Sequence, residues 1–95
     1  MQSYEIMYII KPETTQEVIS TIKDTVEKIF LSRGGDLVKS QDLGLKDLAY
    51  EIDHHKKGYY VYLVVKTEKE AITEFTRVIN ITEDVLRHIV VKEEQ

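Results

Sequence analysis

The chain has 95 residues, no cysteine and no tryptophan, and is 32% charged and 42% hydrophobic. That describes one small globular domain, expected to span residues 1–95, rather than two. Thirteen basic against seventeen acidic residues give a net charge of −4, a balance that argues against a protein gripping nucleic acid by bulk electrostatics. Without cysteine, disulfides, thiolate metal sites and thiol chemistry are all excluded. No apolar run approaches the roughly 18–20 residues of a membrane span, and the start Gln2-Ser3-Tyr4-Glu5 lacks the basic and apolar stretches of a signal peptide, so a cytoplasmic protein is expected.

Residues 4–10 read Tyr-Glu-Ile-Met-Tyr-Ile-Ile, a strand that Pro12 ends. Thr14 followed three residues later by Glu17 forms a capping box. Val18, Ile19, Ile22, Val26, Ile29 and Phe30 then recur at helical steps, predicting a helix of about 17 residues closed by Gly34 in a left-handed conformation. Leu37 and Val38 open a long extended segment through Leu43, Leu45, Leu48, Tyr50 and Ile52, with Gly44 as a bulge. The polar stretch 53–58 reads as a hairpin loop into the strand 59–65. Thr67 with Glu70 repeats the capping box ahead of a shorter amphipathic helix carrying Ala71, Ile72, Phe75, Val78 and Ile79. Residues 85–91 make a last strand, and 92–95 a short tail.

The resulting order is β, α, β, β, α, β. An internal repeat supports it, since Tyr4, Ile6, Ile10, Lys11 and Glu13 align at one constant offset with Tyr59, Val61, Val65, Lys66 and Glu68. Two such units interleave into an α+β, ferredoxin-like split βαβ fold, a four-stranded antiparallel sheet of order 4-1-3-2 with both helices on one face. With Ile6, Tyr8 and Ile10 turned towards the helices, alternation sends Glu5, Met7 and Ile9 to the open face, together with Tyr60, Tyr62 and Val64. So apolar an open face points to a protein partner.

Patterns that could carry catalysis are weak. Adjacent His54 and His55 seldom converge on one metal ion, and His88 stands in an apolar strand, so no metal site is expected. Gly34-Gly35 follows a helix instead of opening one, the wrong order for a phosphate cradle. The loop Lys11-Pro12-Glu13-Thr14 has no arginine with which an acylphosphatase-like protein could hold phosphate. Lys57-Gly58-Tyr59-Tyr60-Val61-Tyr62 partly imitates the third-strand motif of RNA-recognition domains, but its rings are shifted by one residue and so fall on the other face. Cross-strand packing is the competing role for these tyrosines.

The block Leu43-Gly44-Leu45-Lys46-Asp47-Leu48-Ala49-Tyr50 is the most specific feature. With Tyr4-Glu5, Lys11-Pro12, Gly34-Gly35, Gly58-Tyr59-Tyr60, and the stretch from Val85-Leu86-Arg87 to Val91-Lys92, it resembles the bacterial small-subunit ribosomal protein S six family over essentially the whole chain. The resemblance implies a structural constituent of the small ribosomal subunit, without enzymatic activity, cofactor or small-molecule substrate. It also implies a heterodimer with ribosomal protein S eighteen that binds the central domain of the small-subunit ribosomal RNA. At matching positions, Tyr4, Lys46, Arg87 and Lys92 become expected RNA contacts, with Lys56 and Lys57 in the hairpin loop as neighbours. Arg87 could fork onto a phosphate, or pair with Glu5 across strands. This chain departs from the family in having Gln2-Ser3 where an arginine is usual, and Lys46-Asp47 where two basic residues are common.

Partner contacts are expected from Met7, Ile9, Tyr60 and Tyr62 on the open face, with Asp42, Asp47 and Glu51 as the acidic complement to a basic partner. A different class of function, a ferredoxin-like regulatory domain that binds a ligand and homodimerises through its sheet, is the alternative.

Overall fold

The computed structural model describes residues 1–93; Glu94 and Gln95, in the expected tail, lie outside the described residues. The elements are β1 (Gln2–Ile10), α1 (Gln16–Leu31), β2 (Asp36–Ile52), β3 (His55–Thr67), α2 (Lys69–Asn80) and β4 (Val85–Lys92). The strands form one antiparallel sheet in the order β2-β3-β1-β4, the expected ferredoxin-like order. Ile6, Tyr8 and Ile10 of β1 and Val61, Leu63 and Val65 of β3 point inward. They meet Ile22, Val26 and Phe30 of α1 and Ala71, Phe75 and Ile79 of α2 in a single core. Phe75 sits at its centre, its ring 6.4 Å from that of Tyr8 and 5.9 Å from that of Phe30. His88 faces the same core and meets the Phe75 ring edge-on at 5.9 Å.

Both helix starts differ from the expected caps. Thr15, not Thr14, precedes α1, accepting the Val18 N–H at 3.4 Å, while the Thr14 hydroxyl is turned inward. Glu68 precedes α2 and makes no side-chain cap. Thr67 is unavailable because its backbone still belongs to the ladder opposite Gln2 and its side chain is fully buried. Gly34 adopts the expected left-handed φ of +77°, and Gly44 one of +80° at a register shift in β2.

The hairpin between β2 and β3 is much tighter than the expected loop 53–58. Ile52 pairs with His55, and only Asp53 and His54 turn the chain, with φ of 48° and 66°. Two successive positive φ values are the signature of a type I′ hairpin turn, whose twist matches that of the flanking strands. Asp and His tolerate this region better than most side chains. Lys56 and Lys57 therefore stand on β3 rather than in a loop, and Lys92 closes β4 opposite Tyr4 rather than opening a tail.

Gly58 is accordingly not a turn glycine. It is buried, and a Cβ there would sit 2.3 Å from Ile9 Cγ2 and 3.5 Å from Leu48 Cδ2. Ile9 and Leu48 thus close over the glycine backbone, and Ile9, expected to be exposed to a partner, is only 7% exposed. Since Ile9 Cγ2 belongs to a stiff β-branched side chain, Gly58→Ala is expected to cost about 1–3 kcal/mol by overpacking. This corresponds to a fall in Tm of roughly 4–8 °C per kcal/mol, read by thermal unfolding. An unchanged Tm would show that the tip of the hairpin yields freely.

Candidate nucleic-acid and partner interface

The β2–β3 hairpin outruns β1. Residues 59–67 of β3 pair with β1, whereas 55–58 pair only with β2. Between the Asp47–Lys57 and Ile52–His55 pairs, residues 48–51 of β2 stand opposite Lys56 alone, a large bulge that bends the strand. Leu48 falls onto Gly58, and Tyr50 reaches across to β4, where Arg87 Nη1 donates to its hydroxyl and the guanidinium lies 5.4 Å from the ring centroid. Arg87 is opposite Ile9 and Glu5 is opposite Val91, so the cross-strand pair of Arg87 with Glu5 does not form. Glu5 instead accepts the Tyr62 hydroxyl at 3.0 Å.

Alternation in register sorts the charges. Lys56 shares the open face with Gly58 and Tyr60, and Lys46, opposite Gly58, falls on the same side as Leu48 and Arg87. Asp47, opposite Lys57, takes the reverse side, and Glu51 stands exposed on the same bulged segment. One end of the open face thus gathers Lys46, Lys56 and Arg87 around Tyr50. Three expected RNA residues lie elsewhere. Lys57, opposite Asp47, shares its reverse side. Lys92 is at the opposite end of β4, roughly 17 Å from Arg87 at strand rise. Tyr4 points into the core and is 7% exposed, which leaves no ring face for a base.

The rest of the open face is apolar. Glu5, Met7, Tyr62, Ile89 and Val91 line a shallow groove, with Ile89 52% and Val91 49% exposed. Met7, Tyr60 and Tyr62 are half-buried there as expected, and Lys39 lies 5.7 Å above the Tyr62 ring. Ile89 and Val91 are not among the expected partner residues, yet the alternation that places Met7 also places them on this face, opposite Met7 and Glu5. Asp42 does not serve as an acidic complement on this face. It stands opposite inward-pointing Val61, bound by Lys23 of α1 at 2.6 Å and by the Tyr59 hydroxyl at 2.7 Å. Burial raises its carboxyl, but those two hydrogen bonds outweigh burial and leave it below the usual carboxylate range. The same bond to Asp42, reinforced by burial, pushes the Tyr59 phenol up to about 12.

A family profile described as Ribosomal protein S6 matches residues 3–92. The chain belongs to the ribosomal protein S6 family. The small ribosomal subunit protein bS6 of Phytoplasma mali is 47% identical over 94 residues, covering 99% of this chain and 100% of that protein. The bS6 protein of Acholeplasma laidlawii is 46% identical over 93 residues, 98% of each chain. That of Aster yellows witches'-broom phytoplasma is 43% identical over 95 residues, the full length of both. The crystal structure of 30S ribosomal protein S6 from Thermotoga maritima superposes with a TM-score of 0.90 at 25% identity, over 97% of this chain and 87% of that one. An uncharacterised Thermotoga maritima protein, 13% identical with a TM-score of 0.64, shares the fold alone. Membership of the S6 family favours the ribosomal reading over the regulatory one, and the family is one of ribosomal proteins rather than a class of enzyme.

In this S6-family chain the hairpin tip is also tied on its other side, where His55 Nε2 lies 3.1 Å from Glu13 just beyond β1. The Glu13 hydrogen bond raises the His55 pKa. Glu13 is lowered by its own backbone N–H and then by His55. A raised His stabilises below its unfolded value and loses that contribution as pH rises through its folded value; a lowered Glu stabilises above its unfolded value and loses it as pH falls. The clasp is therefore strongest between about pH 4.5 and 6.5. By NMR titration, His55 should protonate above the ordinary imidazole value of about 6.5, and Glu13→Gln should return it there. An identical titration in both proteins would mean that the clasp does not form in solution.

Proposed function

We propose that this chain is a structural constituent of the small ribosomal subunit that holds ribosomal RNA jointly with a basic protein partner, ribosomal protein S eighteen. The observation that carries the reading is the division of the open face. An apolar groove around Met7, Tyr62, Ile89 and Val91 lies beside a cationic end at Lys46, Lys56 and Arg87, with Asp47 on the reverse. The apolar part fits a protein partner. Asp47 and Glu51, exposed at the β2 edge, complement a basic one, speeding association and selecting the partner. The cationic end fits phosphate, but three such groups release few counterions. Direct RNA binding should therefore have a salt slope of about 3 and low affinity on its own. A chain of net charge −4 needs a basic companion to bind RNA tightly.

In a gel-shift titration of a central-domain transcript, this chain alone should not bind below micromolar concentration, whereas the equimolar pair should. Submicromolar binding by this chain alone would sink the partner requirement. Ile89→Glu, at an exposed position, should leave the Tm within a few degrees and abolish pairing in calorimetry; undiminished pairing would place the partner elsewhere. Arg87→Ala should weaken RNA binding by the pair while pairing itself persists.

A further inference from the structure

Tyr50 is an unusual tyrosine for its position. It sits near the end of the edge strand β2, yet the bulge at 48–51 carries it past β3 and β1 to Arg87 on β4. It does little to cover the apolar surface beneath: Leu48 closes over Gly58, and Tyr50 remains 60% exposed. The ring is nevertheless held twice, by the Arg87 hydrogen bond to its hydroxyl and by the guanidinium 5.4 Å from its centroid. An exposed ring whose rotamer freedom is already spent loses little entropy when a ligand stacks on it. Lys46 and Lys56 share its side of the sheet and can take the phosphates that flank such a ligand.

We infer that Tyr50, braced by Arg87, is a stacking platform for one unpaired nucleobase. Every base has a π-face, so the platform is tolerant of sequence, while a paired base inside a helix cannot reach it. Arg87 acts here as a positioning residue that fixes the ring, with its remaining N–H donors free for a neighbouring phosphate. The inference rests on the reading of the chain as a partner-dependent RNA binder, and it adds which residue meets a base and in what way.

The test uses the pair of this chain with ribosomal protein S eighteen and a central-domain transcript. Tyr50→Leu should weaken RNA binding roughly 5- to 150-fold, the range for loss of one stacked base, with partner affinity and salt slope unchanged. Tyr50→Phe should retain most of the binding, since the ring remains. Because the chain has no tryptophan, Tyr50→Trp supplies a reporter whose emission, read against the partner alone, should be quenched when RNA is added. This second variant carries the test should the leucine variant fold poorly. The platform is overturned if Tyr50→Leu binds RNA like the wild type, if the loss comes with a salt slope smaller by about 1, as for a phosphate contact, or if the tryptophan emission does not move. Failure of the wild-type pair to bind the transcript at all would instead overturn the proposed function itself, and the platform with it.

Discussion

At Gly58 the backbone of β3 passes so close beneath Ile9 that a single added carbon would lie 2.3 Å from the isoleucine methyl. Beside that contact, the bulge at 48–51 bends the free end of the β2–β3 hairpin. Ile9 is withdrawn from the surface, Leu48 seals the junction, and the bulge delivers Tyr50 to Arg87. Were the hairpin straight, residues 46–58 would project beyond β1 as an exposed ribbon, the kind of two-stranded element that is marginal in water. His55 with Glu13 on one side and Tyr50 with Arg87 on the other hold the bent tip in place.

Strand register decides how charge is distributed, and distribution matters more here than the total. A net charge of −4 repels RNA at long range. Within the last turns of the hairpin, however, strand periodicity directs Lys46 and Lys56 to the open face and Asp47 to the back. A surface of this kind binds weakly alone. On the proposed reading, it becomes an RNA site when a basic neighbour occupies the adjoining groove and reverses the local field. The apolar residues of that groove and the cationic residues beside it are thus parts of a single interface with two occupants, on the proposed reading.

Most of the architecture was legible in the sequence because it rests on periodicity. Alternation in β1 and β3, helical spacing in both helices and Gly34 beyond the first helix each follow from local rules. Ile9 and Tyr50 were not legible, since their burial and reach depend on a bulge whose size no local pattern announces. Gly58 was misleading in a physical way: glycine marks turns as well as close approaches, and here Asp53 and His54 make the turn while the glycine makes room. Asp42 looked like free charge because nothing in a single strand reveals that Lys23, on a helix, lies across from it. The expected RNA role of Tyr4 rests on resemblance alone, whereas its parity with Ile6 and Tyr8 points to the core. Ile89 and Val91 required only that the alternation used for β1 be carried to β4.

On the proposed reading, this chain is held on the small subunit by RNA and partner together. Small subunits reconstituted with and without ribosomal protein S eighteen and then washed at high salt test it most directly. This chain should sediment with the subunits only when the partner is present. Equal retention in its absence, or complete loss in its presence, would contradict it.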